Sequence, residues 1–269
     1  LLLETSVRPT LFCLVLIGAL ASAAGAASAD RLVQPRELVR GGYYAPRFAP
    51  DGRHVLLSGP RQRGLFLADA AGGAVRRLND EPAAGVHARF RPDGSVQFRA
   101  LRAGAKRDLV LAADGSDREA PPTAEVALVR DDRVYVRGAA GALVQVGSGD
   151  RFFGERVSPD GDKIAFQGLV TGLHVYTRST GRLVHIGPGT APAWSPDSSR
   201  LVYELTEDDG HDIVASDLHM FDLASGRGHQ LSATEGILER RPGFSPDGRE
   251  VAFDDDTGRV WIARLEVQP

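Results

Sequence analysis

The chain has 269 residues, a quarter of them charged, with a formal net charge of −3. That near-neutral balance excludes a nucleic-acid binder driven by phosphate contacts. A single cysteine, Cys13, excludes a disulfide framework and a thiolate zinc site.

The chain opens on an export-like segment, RPTLFCLVLIGALASAAGAASAD over 8–30. Arg8 gives a positive start, LFCLVLIGAL an apolar stretch of signal length, and Ala27-Ser28-Ala29 a small-residue cleavage site. The expectation is a signal peptide over 1–29, a mature chain from Asp30 in the periplasm, and no membrane span after cleavage. A retained anchor is the competing reading, because residues 11–29 just reach bilayer length.

A lone strand, RELVR (36–40), follows. It resembles the fourth-strand endings found later, so it is expected to complete the last unit of a closed ring and remove exposed edges. Then comes the first of five related stretches: PRFAPDGRHVLL (46–57), ARFRPDGSVQF (88–98), ERVSPDGDKIAF (155–166), PAWSPDSSRLVY (192–203) and PGFSPDGREVAF (242–253). In each, Pro presets φ for a turn and the small residue after Asp accepts a positive φ. An aromatic or β-branched residue precedes the turn and an alternating apolar run follows it, which places two strands per copy.

Third strands follow at 65–70, 108–115, 173–179, 218–223 and 260–267, and fourth strands at 74–78, 182–187 and 228–231. Three of the spacings between turn prolines are 42, 37 and 50 residues, the length of one propeller blade. The remaining gap, Pro92 to Pro159, holds three short strands over 126–147 without the turn motif, a compact sixth unit. The fold expected is all-β: one domain over 30–269, a six-bladed β-propeller of four-stranded antiparallel blades, closed by the N-terminal strand.

These residues resemble a known family. F/W-S-P-D-G, an apolar strand, an I/L-x-V/M-x-D-like strand and a G-x-x-R-x-L ending look like the WD-repeat-like repeat of TolB-like propellers over about 36–267. The same blade recurs in propellers of prolyl-oligopeptidase-type peptidases and in some lyases. The resemblance implies a noncatalytic role in the cell envelope, with a periplasmic partner such as the peptidoglycan-associated lipoprotein. The sequence departs from that family in having only a few residues between Asp30 and the first blade, where the family carries a separate N-terminal domain.

Enzyme motifs are absent from the sequence: no G-x-S-x-G, no H-E-x-x-H and no Walker loop. His54, His174, His185 and His219 fall in strands and read as packed residues; His87 and His211 fall in loops. Glu207-Asp208-Asp209 with Asp212, and Asp254-Asp255-Asp256, read as solvated hairpin tips, since neither matches a calcium loop. No metal or cofactor is expected, and the chain is expected to be a monomer.

Binding residues are expected in two places. Just before the first-strand anchor stand Arg47, Arg89 and Arg156; either they converge in the central channel on an anion, or each pairs with Asp of a neighbouring turn. The loops from fourth to first strands carry Tyr43, Tyr44, His87, Arg151, Phe152, Phe153, Glu239 and Arg240, an aromatic and Arg-rich rim suited to another envelope protein or a peptide. The alternative is a metal-dependent lyase or hydrolase acting on a carbohydrate or lactone in the channel, drawing on His87, Glu155, His211 and Glu239.

Overall fold

The computed structural model describes residues 30–267 except 86–87, 92, 113–114, 121–125 and 139–140. The signal-peptide expectation and His87 therefore lie outside the described residues. Among the described residues no helix is long and apolar enough to cross a membrane.

Strand β1 (Arg31–Val39) precedes blade 1, which holds β2 (Tyr44–Phe48), β3 (His54–Ser58), β4 (Leu65–Asp69) and β5 (Val75–Arg77). Blade 2 holds β6 (Arg89–Phe90), β7 (Val96–Arg102), β8 (Ala105–Leu111) and β9 (Asp117–Glu119), and blade 3 holds β10 (Ala127–Arg130), β11 (Arg133–Arg137) and β12 (Leu143–Val146). Blade 4 holds β13 (Phe152–Val157), β14 (Lys163–Gly168), β15 (Gly172–Thr177) and β16 (Arg182–Gly187). Blade 5 holds β17 (Thr190–Trp194), β18 (Arg200–Asp208), β19 (Ile213–Asp222) and β20 (Arg227–Gln230); blade 6 holds β21 (Arg240–Phe244), β22 (Glu250–Asp254) and β23 (Val260–Glu266).

Each blade is an antiparallel meander, and the last sheet runs β1-β23-β22-β21. The protein is thus a six-bladed β-propeller whose N-terminal strand closes the ring. Arg31 pairs with Glu266 and Val39 with Val260, so the clasp begins five residues before the expected 36. Pairing ties the two ends together and leaves the first blade a packed neighbour: Leu38, Val39, Val260 and Ile262 share one core with Phe48, Val55 and Leu57 of blade 1. The remaining cores sit in the same way between consecutive blades, as where Val202, Leu218 and Met220 of blade 5 meet Val251 and Phe253 of blade 6.

The repeated turn explains its own recurrence. In blade 4 the Gly161 N–H donates to the Ser158 carbonyl at 2.9 Å, and the Ser158 N–H to the Lys163 carbonyl at 2.8 Å. Asp160 accepts the Asp162 N–H at 3.0 Å, a side-chain closure that Asp51, Asp93, Asp197 and Asp247 repeat in their own turns. Glycine holds the positive φ in four copies, for example +74° at Gly161; in the fifth, Ser198 holds +60° instead.

That serine has a compensating contact, because its Oγ accepts the Asp160 N–H from blade 4 at 3.0 Å. The turns therefore link blades around the inner ring as well as closing hairpins. Ser198→Ala keeps the backbone strain and loses the link, leaving a part-buried N–H unpaired. The expected cost is about 1–2 kcal/mol, read as a lower urea midpoint at unchanged slope.

Candidate functional site

The inner strands line the channel, and four of them share one irregularity. Ala45, Gly154, Ala191 and Arg241 have φ of 52°, 68°, 50° and 49°. Each stands five residues before its turn proline, where the ladder shifts register, as between Tyr44 and Arg47 or Arg240 and Gly243. A bulge of this kind rotates the strand and re-aims its backbone. In blade 6 the Arg241 N–H donates to Glu204 Oε2 of blade 5 at 2.6 Å, and in blade 5 the Ala191 N–H donates to Gln167 Oε1 of blade 4 at 3.3 Å.

The acceptors of these bonds also follow a rule. Eight residues after the turn proline, at the fifth position of the second strand, come Ser58, Gln167, Glu204 and Asp254, all buried. Polar groups at such a depth must be hydrogen-bonded. Glu204 takes the Thr190 hydroxyl at 2.7 Å as well as the Arg241 N–H, with Arg240 3.8 Å away. Asp254, with no exposed surface, is held by the Arg241 guanidinium through Nε at 2.9 and 3.0 Å and through Nη2. Burial pushes the Asp254 carboxyl up to about 6, against the pull of Arg241. Arg241 also lies over the Tyr44 ring, 5.3 Å from its centre, and so joins blade 6 to blade 1.

This overturns one expectation. Asp254-Asp255-Asp256 is not a solvated tip: Asp254 and Asp255 are both fully buried. Asp255 accepts the Thr257 and Arg259 N–H groups, the Thr257 hydroxyl, the Arg259 Nε and the Trp261 indole N–H. Those bonds outweigh desolvation and hold its carboxyl below the usual range. The other cluster does sit at a tip, where Asp209 accepts the His211 and Asp212 N–H groups.

The three first-strand arginines differ in exposure: Arg47 and Arg156 are half-buried and Arg89 is exposed. Arg47 donates to the carbonyls of Pro46 at 2.7 Å, Pro242 at 3.3 Å and Arg241 at 3.4 Å. Burial, then the charge of Arg156, pushes its guanidinium down to about 10. Arg156, bonded to the Glu155 carbonyl at 3.0 Å, is likewise lowered, by burial and then by the charge of Arg89. Arg89 donates to Gln97 Oε1 at 3.3 Å. Each cation feels the next, and none of the three makes an ion pair with a turn aspartate among the described residues. Neutral carbonyls and an amide hold them in place, and carboxylates offset their mutual repulsion in part, Asp254 and Glu204 at Arg47 and Glu155 at Arg156.

The rim residues separate into two groups. Tyr43 is half-buried edge-on to Phe66, ring centres 5.2 Å apart. Arg151 is exposed and pairs with Asp132 at 2.9 Å, and Phe153 is exposed. Phe152, however, packs in the core against Phe166, and Glu239 is fully buried under the Ser232 hydroxyl and the Leu218 N–H. Neither offers side-chain surface for a partner to touch, because alternation along the strand turns Phe152 inward and the Ser216–Glu239 backbone bonds seat Glu239 between blades 5 and 6. Arg240 is half-buried, with Nε lacking a hydrogen-bond partner. Of the alternative catalytic set, Glu155 neighbours Arg156 on β13 while His211 lies at the β18–β19 tip.

Comparison with known proteins fits this architecture. No family model matches the chain. The putative TolB of Agrobacterium tumefaciens superposes with a TM-score of 0.58 at 19% identity, covering 84% of this chain and 90% of that one. The fold is one that TolB propellers share. A gluconolactonase from Xanthomonas campestris gives a TM-score of 0.59 at 13% identity, over 90% of this chain and 96% of that one. In sequence, dipeptidyl-peptidase 5 of Porphyromonas gingivalis is 31% identical over 86 residues, 27% of this chain; the match spans only 12% of the peptidase. At these identities the structural likeness is of fold, which many activities share.

Proposed function

We propose that this chain is an exported, noncatalytic propeller of the cell envelope that binds another protein, gripping an acidic segment of it in the channel with Arg47, Arg89 and Arg156. The observation that carries the reading is the arginine triad. Three guanidiniums that carry no ion pair with a turn aspartate among the described residues gain from any carboxylate that enters, through charge-assisted hydrogen bonds. Tyr43, Tyr44, Arg151, Phe153 and Arg240 around the mouth supply aromatic and cationic contact for the rest of the partner. The fold in common with TolB propellers and the export-like segment at 8–30 support a periplasmic setting.

The test compares wild type with an Arg47→Ala, Arg89→Ala, Arg156→Ala variant as bait in envelope extract, with captured proteins quantified by mass spectrometry. The expected result is a discrete acidic partner whose capture falls at least tenfold on the variant and weakens steeply with salt. Equal capture by both baits removes the channel as the binding site.

A further inference from the structure

Blade 3 differs from the other five. Its third strand β12 is its outermost among the described residues, and only five residues, 147–151, lead from it to the first strand of blade 4. In blades 4, 5 and 6 apolar residues of the third strand are covered: Leu173 and Val175 of β15, Leu218 and Met220 of β19, and Val260 and Ile262 of β23 are buried. On β12, Leu143 is 40% and Val144 50% exposed. Of the nine large apolar side chains exposed among the described residues, five belong to this strand or to the facing part of blade 4: Leu143, Val144, Phe153, Leu169 at 60% and Val170 at 87%.

A groove of about 550 Å³ joins the two, lined by Gln145, Gly147, Arg133, Phe152, Leu169 and Val170 among others. Its charges are unevenly available. Asp132 is paired with Arg151, and Asp150 accepts the Arg151, Val170 and Thr171 N–H groups and the Thr171 hydroxyl. These bonds hold the Asp150 carboxyl well below its usual range. Arg133 makes no ion pair among the described residues, so the groove offers one unpaired cation and no free anion.

We propose that the outer edge of blade 3 is a strand-addition site, taking an extended segment of a partner protein that alternates apolar and acidic residues. The added strand would occupy the fourth-strand position that β5, β9, β16, β20 and β1 fill in the other blades. Main-chain hydrogen bonds to β12 supply affinity; Val144, Leu169 and Val170 receive the apolar side chains, and Arg133, which shares the other face of the sheet with Leu143 and Gln145, receives a carboxylate. A second copy of this chain is the poorer occupant, since the β12 sequence LVQV brings no carboxylate to Arg133. The surface is separate from the channel and does not rest on the arginine triad.

Random decapeptides displayed on phage are panned against the purified chain and counter-panned against Val144→Lys, whose exposed position leaves the melting midpoint unchanged. The expected peptides alternate apolar and acidic residues and lose at least tenfold in affinity on Val144→Lys and on Arg133→Glu. They protect the Leu143–Val146 amides from hydrogen exchange and bind the Arg47→Ala variant as tightly as wild type. The proposal is overturned if no peptide prefers wild type, if protection falls elsewhere, or if the free chain dimerises in sedimentation with those amides already protected.

Discussion

An Asp254→Ala variant unfolds at a midpoint on the order of 10 °C below wild type. The carboxylate is fully buried, and its removal leaves the Arg241 guanidinium, between blade 6 and Tyr44 of blade 1, with no partner of opposite charge except the more distant Glu204. Breaking a buried pair from one side costs about 3–5 kcal/mol, because the surviving charge keeps its desolvation penalty and loses its compensation. For a domain of this size each kcal/mol moves the midpoint by roughly 2–4 °C. The double variant Arg241→Met, Asp254→Leu removes both charges and should recover most of the loss. Calorimetry of the three proteins checks this; equal midpoints for wild type and Asp254→Ala would show that the pair does not hold blade 6 together.

The second large effect is in pH dependence. Glu239 is fully buried, Oε1 has no hydrogen-bond partner, and burial pushes its carboxyl up to about 7. In the unfolded chain it titrates near the ordinary Glu value of about 4.3. Between those values the folded state keeps a proton that the unfolded state releases, so stability falls as pH rises through this window and levels off above it. Fully expressed, the loss is about 3–4 kcal/mol. Glu239→Gln holds a neutral group throughout, so it should match wild type near pH 4.5, exceed it at pH 8 and flatten the slope between. Urea unfolding across that range decides it; parallel curves for the two proteins would mean that Glu239 does not titrate in the window.

Both predictions concern residues whose setting the sequence reading missed or misread. Asp254 was grouped with its two neighbours as a solvated tip, and Glu239 was placed on a binding rim. A usable signal was present for the first: a polar residue eight positions after the turn proline, in an otherwise apolar strand, at Ser58, Gln167, Glu204 and Asp254. Periodicity of that kind marks a ring of like positions, although it does not say whether they face water. For Glu239 no such signal exists, since its burial comes from Ser216, Leu218 and Ser232, which reach it from blade 5.

The sequence alone determined the blade count, the turn chemistry and the closing strand. Each of those is written locally: a turn needs proline, aspartate and a residue tolerant of positive φ within four positions, and a strand needs alternation within five or six. The bond from the Arg241 N–H to Glu204, the stacking of Arg241 on Tyr44, and the outermost place of β12 among the described residues were decided by the tertiary structure. These depend on which blade stands beside which and on how a bulge turns each inner strand. Contacts made across blades join residues tens of positions apart, and their energies depend on burial that only the closed ring creates.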